Sequence, residues 1–167
     1  DPNDLGFLAA NNSLGGWVYT GYAIYKPFGR FNKMWSDLNV MYNNLYMPRK
    51  FTDITMEASG GITTRRFNTY GFNASGNPVR GFDYFEPRVW GRYFHTFTNA
   101  FVYGWYSSDY RKKLAIDVGA GYGVYENEGR YRFNWRIAPR LRFNDHLFVT
   151  YVYSYQSHVN DLGFAYS

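Results

Sequence analysis

Five arginines stand at alternate positions in the last quarter of the sequence, and guanidinium groups in such a row could bind anions. They are Arg130, Arg132, Arg136, Arg140 and Arg142. The residues that alternate with them are mostly apolar, namely Tyr131, Phe133, Trp135, Ile137, Pro139, Leu141 and Phe143. Successive side chains of a β-strand point to opposite faces, so this segment predicts a strand with one basic and one apolar face. Such a pattern is typical of a strand between lipid and a polar lumen.

Other residue types that support catalysis form no recognisable site. The three histidines, His95, His146 and His158, fall at predicted strand ends or turns. Ser157 precedes His158, but neighbours in a strand face opposite ways and cannot form a nucleophile–base pair. No carboxylate–histidine cluster has metal-ligand spacing, and the glycines that alternate over 119–123 do not form a phosphate loop. We therefore expect no catalytic residue, no metal, no cofactor and no enzymatic activity.

The composition favours a membrane β-barrel over a helical membrane protein. Hydrophobic residues make up 46 % of the chain and aromatic residues 23 %, yet the mean hydropathy is −0.48. A helical span needs about 18 or more consecutive apolar residues, and the sequence has no such run. The net charge is +5, but the basic residues alternate rather than cluster, which argues against a nucleic-acid partner. The absence of cysteine excludes disulfides and thiolate metal sites.

About eight strands are predicted within a single domain that covers residues 1–167. They span residues 14–28, 33–47, 51–67, 82–95, 97–108, 113–126, 130–143 and 146–158. Residues 68–81 are rich in Asn, Gly and Pro and predict the one long loop. The expected fold is all-β, an antiparallel transmembrane β-barrel to which these strands contribute.

The same alternation assigns further residues to the two faces. On the lumen side we place Asp117, Glu57 and Asp37 beside the arginines, so that carboxylates neutralise part of the positive charge. The lipid-facing set comprises Tyr131, Phe133, Trp135, Ile137, Leu141, Val118 and Tyr122. Tyrosine and tryptophan on that face are expected to anchor the strands at the membrane interfaces.

A hairpin between the sixth and seventh segments gives a check on these assignments. Closure at residues 127–128 pairs residues whose numbers sum to 255. Val118 then faces Ile137 on the apolar side, and Gly119 lies opposite Arg136 on the polar side. Asp117 becomes a diagonal neighbour of Arg136 and is expected to supply a counter-charge.

Two further hairpins give register predictions. A loop at residues 48–50 between the second and third segments predicts Val40 opposite Ala58. The last two segments keep their faces aligned only if their loop has an odd length, such as residues 144–146, or if a bulge intervenes.

The string Asn-Asp-Leu-Gly-Phe occurs at residues 3–7 and again at residues 160–164. Eight strands between the copies would put both on the same side of a membrane, and each copy resembles a lead into a strand. We therefore expect this chain to be the C-terminal part of a longer one. Five arginines would also crowd the filled interior of an eight-stranded barrel, which favours a wider, water-filled lumen.

Four strings resemble a known family. They are Asp1-Pro2-Asn3-Asp4-Leu5-Gly6-Phe7-Leu8, Lys26-Pro27-Phe28-Gly29-Arg30-Phe31-Asn32, Tyr84-Phe85-Glu86-Pro87-Arg88 and Ser107-Ser108-Asp109-Tyr110-Arg111-Lys112-Lys113. Together they are similar to the C-terminal barrel region, a domain of unknown function, of large Bacteroidota envelope proteins that carry an N-terminal family 9-like carbohydrate-binding module. The resemblance implies an outer-membrane location and a longer parent chain, and it implies no catalytic residues.

The sequence thus favours an outer-membrane β-barrel that acts as a transport, pore or scaffold component with unknown cargo. Its expected partners are the lipid bilayer and lipopolysaccharide, with other outer-membrane proteins or glycans as further candidates. Two alternatives stay open. One is a small, closed eight-stranded barrel with an adhesion or lipid-modifying role, and the other is a soluble carbohydrate-binding β-sandwich.

Overall fold

The computed structural model describes residues 12–87, 89, 91–127 and 129–161. Segments in which polar and apolar side chains alternate form antiparallel strands. No helix occurs in the described residues, so none of them forms a helix able to span a membrane. The first copy of the repeated string and residues 162–164 of the second lie outside the described residues, as does Glu128.

The strands are numbered in chain order. They are β1 Ser13–Ile24, β2 Phe31–Leu45, β3 Phe51–Thr64, β4 Thr69–Asn77, β5 Gly81–Asp83, β6 Phe94–Thr96, β7 Asn99–Ser107, β8 Leu114–Tyr125, β9 Tyr131–Arg142, β10 Phe148–Thr150 and β11 Tyr153–Val159. Every pairing between them is antiparallel.

Nine of these strands form one sheet in the order β1-β2-β3-β4-β7-β8-β9, and both β10 and β11 pair with β9. The amide of Tyr151 donates to the carbonyl of Pro139 at 3.0 Å, so β10 and β11 follow one line along β9. Strands β5 and β6 form a separate two-stranded sheet. Within the described residues β1 does not pair with β10 or β11, so the sheet is open, and no second large sheet packs on it.

The predicted long loop at 68–81 is wrong, because residues 69–77 form β4. The signals for a turn were Asn and Gly residues, but Gly71 and Asn73 pair with large residues of β7. Gly71, for example, pairs with Trp105. Cross-strand pairing thus overrides the weak strand propensity of these residues.

The predicted strand at 82–95 is also wrong. The Asp83 carboxylate accepts hydrogen bonds from the amides of Phe85 at 2.9 Å and Glu86 at 3.0 Å, which turns the chain immediately after β5. Among the described residues of this segment, only 81–83 and 94–96 form strands. Residues 78–98, named here the β4–β7 connection, are therefore the long link between neighbouring strands of the main sheet.

Two of the three register predictions are confirmed. Val118 pairs with Ile137 and Gly119 with Arg136, as the sum of 255 requires. The last hairpin has the expected odd loop, since the amide of Phe143 donates to the carbonyl of Leu147 at 2.9 Å.

The predicted register of β2 and β3 is two residues out. Val40 pairs with Met56, and Ala58 pairs with Leu38. The loop is longer than the predicted one, because the amide of Leu45 donates to the carbonyl of Lys50, and a bulge follows near Asn43. A shift of two residues preserves the faces, since the side-chain period of a strand is two.

The sheet buries its polar face more than its apolar face. In the described chain the buried hydrophobic residues are only Leu45, Ala115 and Ala138. Large apolar side chains on the opposite face stay exposed, including Val18 at 70 % and Tyr122 at 52 %. A water-soluble domain of this size normally buries most of such side chains.

Candidate functional site

The polar face of the main sheet brings together residues from seven strands. Its central row starts at Ser154 on β11, which pairs with Arg136 on β9. Arg136 pairs with Gly119 on β8. The row then continues through Trp105, Gly71, Gly61 and Trp35. An arginine therefore shares a row with two tryptophans that are separated by glycines.

The two tryptophans lie flat on the sheet because the residues beside them have no side chain. A Cβ atom at Gly71 would collide with the indole of Trp105, and one at Gly61 would collide with the indole of Trp35. The ring centroids of Trp35 and Trp105 are 6.4 Å apart with an interplanar angle of 35°. We call these two side chains the indole pair.

Sequence analysis missed the indole pair, although it correctly noted the alternating glycines of β8. The available signal was the pattern in β7, where Phe101, Tyr103 and Trp105 alternate with Val102 and Gly104. Both faces of this strand carry apolar residues, so periodicity alone could not assign them. The strand pairing resolves this by placing Tyr103 opposite Gly121, on the polar face.

The predicted lumen-lining arginines share this polar face, and aromatic rings support Arg130, Arg132 and Arg140. The guanidinium carbon of Arg132 lies 3.8 Å from the ring centroid of Phe101. That of Arg140 lies 3.8 Å from the ring centroid of Phe148. Such contacts stabilise a cation without neutralising it, so the positive charge of this face persists.

The arginines differ in their ion-pair partners. Arg130 forms an ion pair with Asp161, and Arg142 forms one with Asp145 at 2.6 Å. Arg136 forms no ion pair with a described residue.

The expected counter-charge from Asp117 to Arg136 is not formed. Instead, the Tyr110 hydroxyl donates to the Asp117 carboxylate at 2.5 Å. Tyr110 lies in the turn before β8 and reaches back over that strand. Burial, followed by the hydrogen bond to Asp117, raises the pKa of Tyr110.

Asp37 and Glu57, the other two acidic residues predicted for the lumen, lie on the opposite side of the indole pair from the arginines. The Asp37 carboxylate accepts a hydrogen bond from the Ser59 hydroxyl at 2.7 Å. Glu57 is exposed and pairs with Asn39 and Ser75. The polar face is therefore acidic towards β2 and β3 and basic towards β9, with aromatic rings between.

The predicted lipid-facing residues share the opposite, apolar face. Val118 pairs with Ile137, and Tyr122 pairs with Phe133. The ring centroids of Tyr122 and Tyr131 are 5.9 Å apart. Trp135 packs against Tyr153 and Tyr155, at centroid distances of 5.2 and 6.3 Å, and Leu141 pairs with Leu114.

A cavity of about 630 Å³ opens beside Trp105, where the turns before β2, β4 and β8 meet. Lys33, Thr69, Ser107 and Phe67 contribute to its lining. Phe67 has a φ of 63°, a left-handed conformation that costs a bulky side chain energy and that glycine usually occupies. We call this space the turn-side cavity.

A bidentate ion pair between Asp109 and Arg111 forms one wall of the turn-side cavity. Both oxygens of the Asp109 carboxylate accept 2.8 Å hydrogen bonds from the Arg111 guanidinium. The same guanidinium lies 3.4 Å from the ring centroid of Phe67. The side-chain hydrogen bond from Arg111 lowers the pKa of Asp109 to about 2, although only 5 % of Asp109 is exposed.

This ion pair predicts a pH dependence of stability. A carboxyl whose pKa falls on folding stabilises the fold at a pH above its unfolded pKa of roughly 4, and it loses this effect as the pH falls through about 2. We expect Asp109→Asn to lower the denaturant midpoint at pH 7. The difference in denaturant midpoint between this variant and the wild type should become smaller between pH 4 and pH 2. Asp145→Asn, at an exposed ion pair, is the control with a smaller expected effect. An equal difference in midpoint at pH 7 and at pH 2 would contradict a stabilising role for the Asp109–Arg111 ion pair.

The β4–β7 connection folds against the opposite end of the sheet. Its aromatic side chains cluster around Phe82, whose ring centroid is 5.2 Å from Tyr93 and 4.9 Å from His95. The Arg80 guanidinium pairs with Glu126, which follows β8. The side-chain hydrogen bond from Arg80 lowers the pKa of Glu126 to about 2. A second cavity, of about 340 Å³, lies between this connection and the sheet.

The remaining histidines and serines form no nucleophile–base pair in the described region. His158 pairs with Arg132 on the polar face, whereas Ser157 pairs with Phe133 on the apolar face. The imidazole of His158 instead contacts Asp161 at 3.4 Å. No group of three or more His, Asp or Glu side chains suited to a metal occurs in the described part of the chain.

Comparison with known proteins gives one match. No curated protein matches the chain, and no solved structure matches it. A family model described as a domain of unknown function matches residues 1–167. The chain therefore belongs to the family named Domain of unknown function (DUF5916), which its model covers from the first residue to the last.

Proposed function

We propose that this sheet is part of the wall of a transmembrane β-barrel in a bacterial outer membrane, where it serves as a transport, pore or scaffold component. The observation that carries the proposal is the exposure of most large apolar-face side chains, from Val18 on β1 to Tyr153 on β11, while the polar face of β8 and β9 is more buried. Lipid is the surroundings in which such an apolar face is stable.

The strand lengths and the aromatic positions support this proposal. Strands β8 and β9 contain 12 residues each, and a tilted barrel strand needs about 9–11 to cross a bilayer. Tyr70 and Tyr106 pair at the turn-side end of the sheet, with centroids 5.1 Å apart. Tyr122 and Tyr131 pair towards the other end. Val118 pairs with Tyr106 in the same cross-strand row, and Ala120 is the apolar-face residue of β8 between that row and Tyr122. Aromatic side chains on the lipid-facing surface are typical of barrel strands.

The polar face favours a water-filled lumen over an interior packed with side chains. Arg136 carries a charge without an ion-pair partner in the described chain, and Glu57 on β3 is exposed. Charges of this kind are costly in a dry interior but not in water. We therefore propose that further strands complete a wider barrel, and that the indole pair faces its lumen.

Detergent dependence tests this proposal. A protein with a lipid-facing wall should resist alkaline extraction from the membrane fraction and should aggregate when detergent is removed. The denatured mass of the same preparation shows whether further chain is available for more strands, since these residues account for only 19.6 kDa. A monomer that stays in solution without detergent would contradict the membrane proposal, because its apolar face would then have to be covered by protein.

A further inference from the structure

The turn-side cavity combines a flat aromatic surface with small hydrogen-bonding groups. One face of the Trp105 indole rests on Gly71, and the ring also lines the cavity. Trp35 extends the aromatic surface, since its centroid is 6.4 Å away. A volume of about 630 Å³ is within the range of sites for small organic ligands.

The polar groups around this surface are mostly uncharged or already neutralised. Thr69 and Thr63 hydroxyls lie 3.0 Å apart, and Ser107 adds a third hydroxyl to the lining. Asp109 and Arg111 neutralise each other through two hydrogen bonds. Lys33 is the remaining cation among the described residues of the lining, and its Nζ lies 5.4 Å from the centroid of Trp35. The cavity therefore suits a ligand with many hydroxyls and no net charge.

The backbone at Phe67 gives an independent reason to regard this cavity as functional. A left-handed φ of 63° is unfavourable for phenylalanine. The turn keeps this residue where its ring supports Arg111 at 3.4 Å and thereby positions the ion pair with Asp109. Local strain thus coincides with a side chain that shapes the wall of the cavity.

We propose that the turn-side cavity and the indole pair bind a neutral pyranose oligosaccharide. The C–H face of a pyranose ring carries partial positive charge and stacks on the negative face of an indole. Its hydroxyls would then meet Thr69, Ser107 and the Lys33 ammonium. This inference rests on the proposed function only in requiring that water reach the polar face.

Isothermal titration of the whole protein, as its gene encodes it, tests the inference. The protein should be held in a detergent without a sugar headgroup, such as an amine oxide. Maltohexaose, cellohexaose, mannohexaose and xylohexaose are the neutral probes, and hexagalacturonate is the acidic one. We expect saturable binding of at least one neutral probe, and quenching of tryptophan fluorescence at the same concentrations. No heat from any neutral probe at millimolar concentration, or binding of the acidic probe alone, would overturn the inference.

Matched tryptophan variants locate the binding. Trp105→Leu should weaken binding at least tenfold. Trp135→Leu, on the apolar face, should leave the affinity unchanged. If Trp105→Leu does not fold, Trp35→Leu removes the other ring of the indole pair and should also weaken binding. Equal affinity in the wild type and in a folded indole-pair variant would overturn the inference. A protein that still requires detergent but binds no neutral hexaose would separate this failure from a failure of the membrane proposal.

Discussion

Val118→Arg is expected to destabilise the protein in lipid vesicles by about 2–4 kcal/mol, the cost of placing a cation on the lipid-facing surface of a barrel away from the interfaces. Val118 is 39 % exposed on the apolar face and pairs with Ile137 and Tyr106. In a soluble protein, a charge at so exposed a position usually changes stability by no more than about 0.5 kcal/mol. Denaturant unfolding in vesicles, compared with the wild type, measures the difference.

Asn73→Arg is the matched control for this prediction. Asn73 is an exposed residue of the polar face, between Ser59 and Tyr103. Asp37, which pairs with Ser59 in the same row, lies on the acidic side of that face. An arginine there should be nearly neutral, because it stays in water. Equal and small effects of the two substitutions would show that water, not lipid, covers the apolar face.

Gly71→Ala is expected to destabilise the protein by about 1–3 kcal/mol, although alanine is no worse than glycine in most strands. The added Cβ would meet the Trp105 indole and force it away from the sheet. The tryptophan emission spectrum should change because the Trp105 ring is displaced, and the denaturant midpoint should fall.

Gly104→Ala provides the control, because it lies next to Trp105 in the same strand. A Cβ at Gly104 would have no atom within 4 Å. This substitution should stabilise the protein by roughly 0.4–1 kcal/mol through a less flexible unfolded chain. If alanine at 71 were as harmless as alanine at 104, the flat packing of Trp105 would be wrong.

Strict alternation made part of the fold predictable. In β8 and β9 polar and apolar residues alternate over twelve residues, and only one register pairs like faces across a short turn. That register, with Val118 opposite Ile137, is the one the structure has. The all-β antiparallel class followed from the same pattern, because no segment had a helical period.

One error arose where long-range packing outweighs local preference, and the other two arose from a local turn and a bulge. Residues 69–77 look like a loop because Gly71 and Asn73 are turn formers, but Trp105 needs the space above Gly71. Residues 82–95 look like a strand until Asp83 caps a turn with its carboxylate. The bulge that shifts β2 against β3 has no clear local signature.

For the candidate site, the sequence could predict only which face of the sheet carries the charged residues. The alternation placed Arg132, Arg136 and Arg140 on the polar face, where the structure has them. The indole pair and the turn-side cavity depend on which strands are neighbours, so the sequence alone could not bring Trp35 near Trp105. The aromatic supports of Arg132 and Arg140 replaced the expected carboxylates for the same reason.

Cysteine labelling of neighbouring positions in β9 tests the central claim most directly. Residues 1–167 contain no cysteine, so Arg136→Cys and Ile137→Cys each introduce one probe into this region. In intact outer membranes, a water-soluble maleimide should label position 136 and leave position 137 unmodified, while a membrane-soluble maleimide should label position 137. Labelling of position 137, but not of position 136, by the water-soluble reagent would contradict the assignment of lipid to the apolar face.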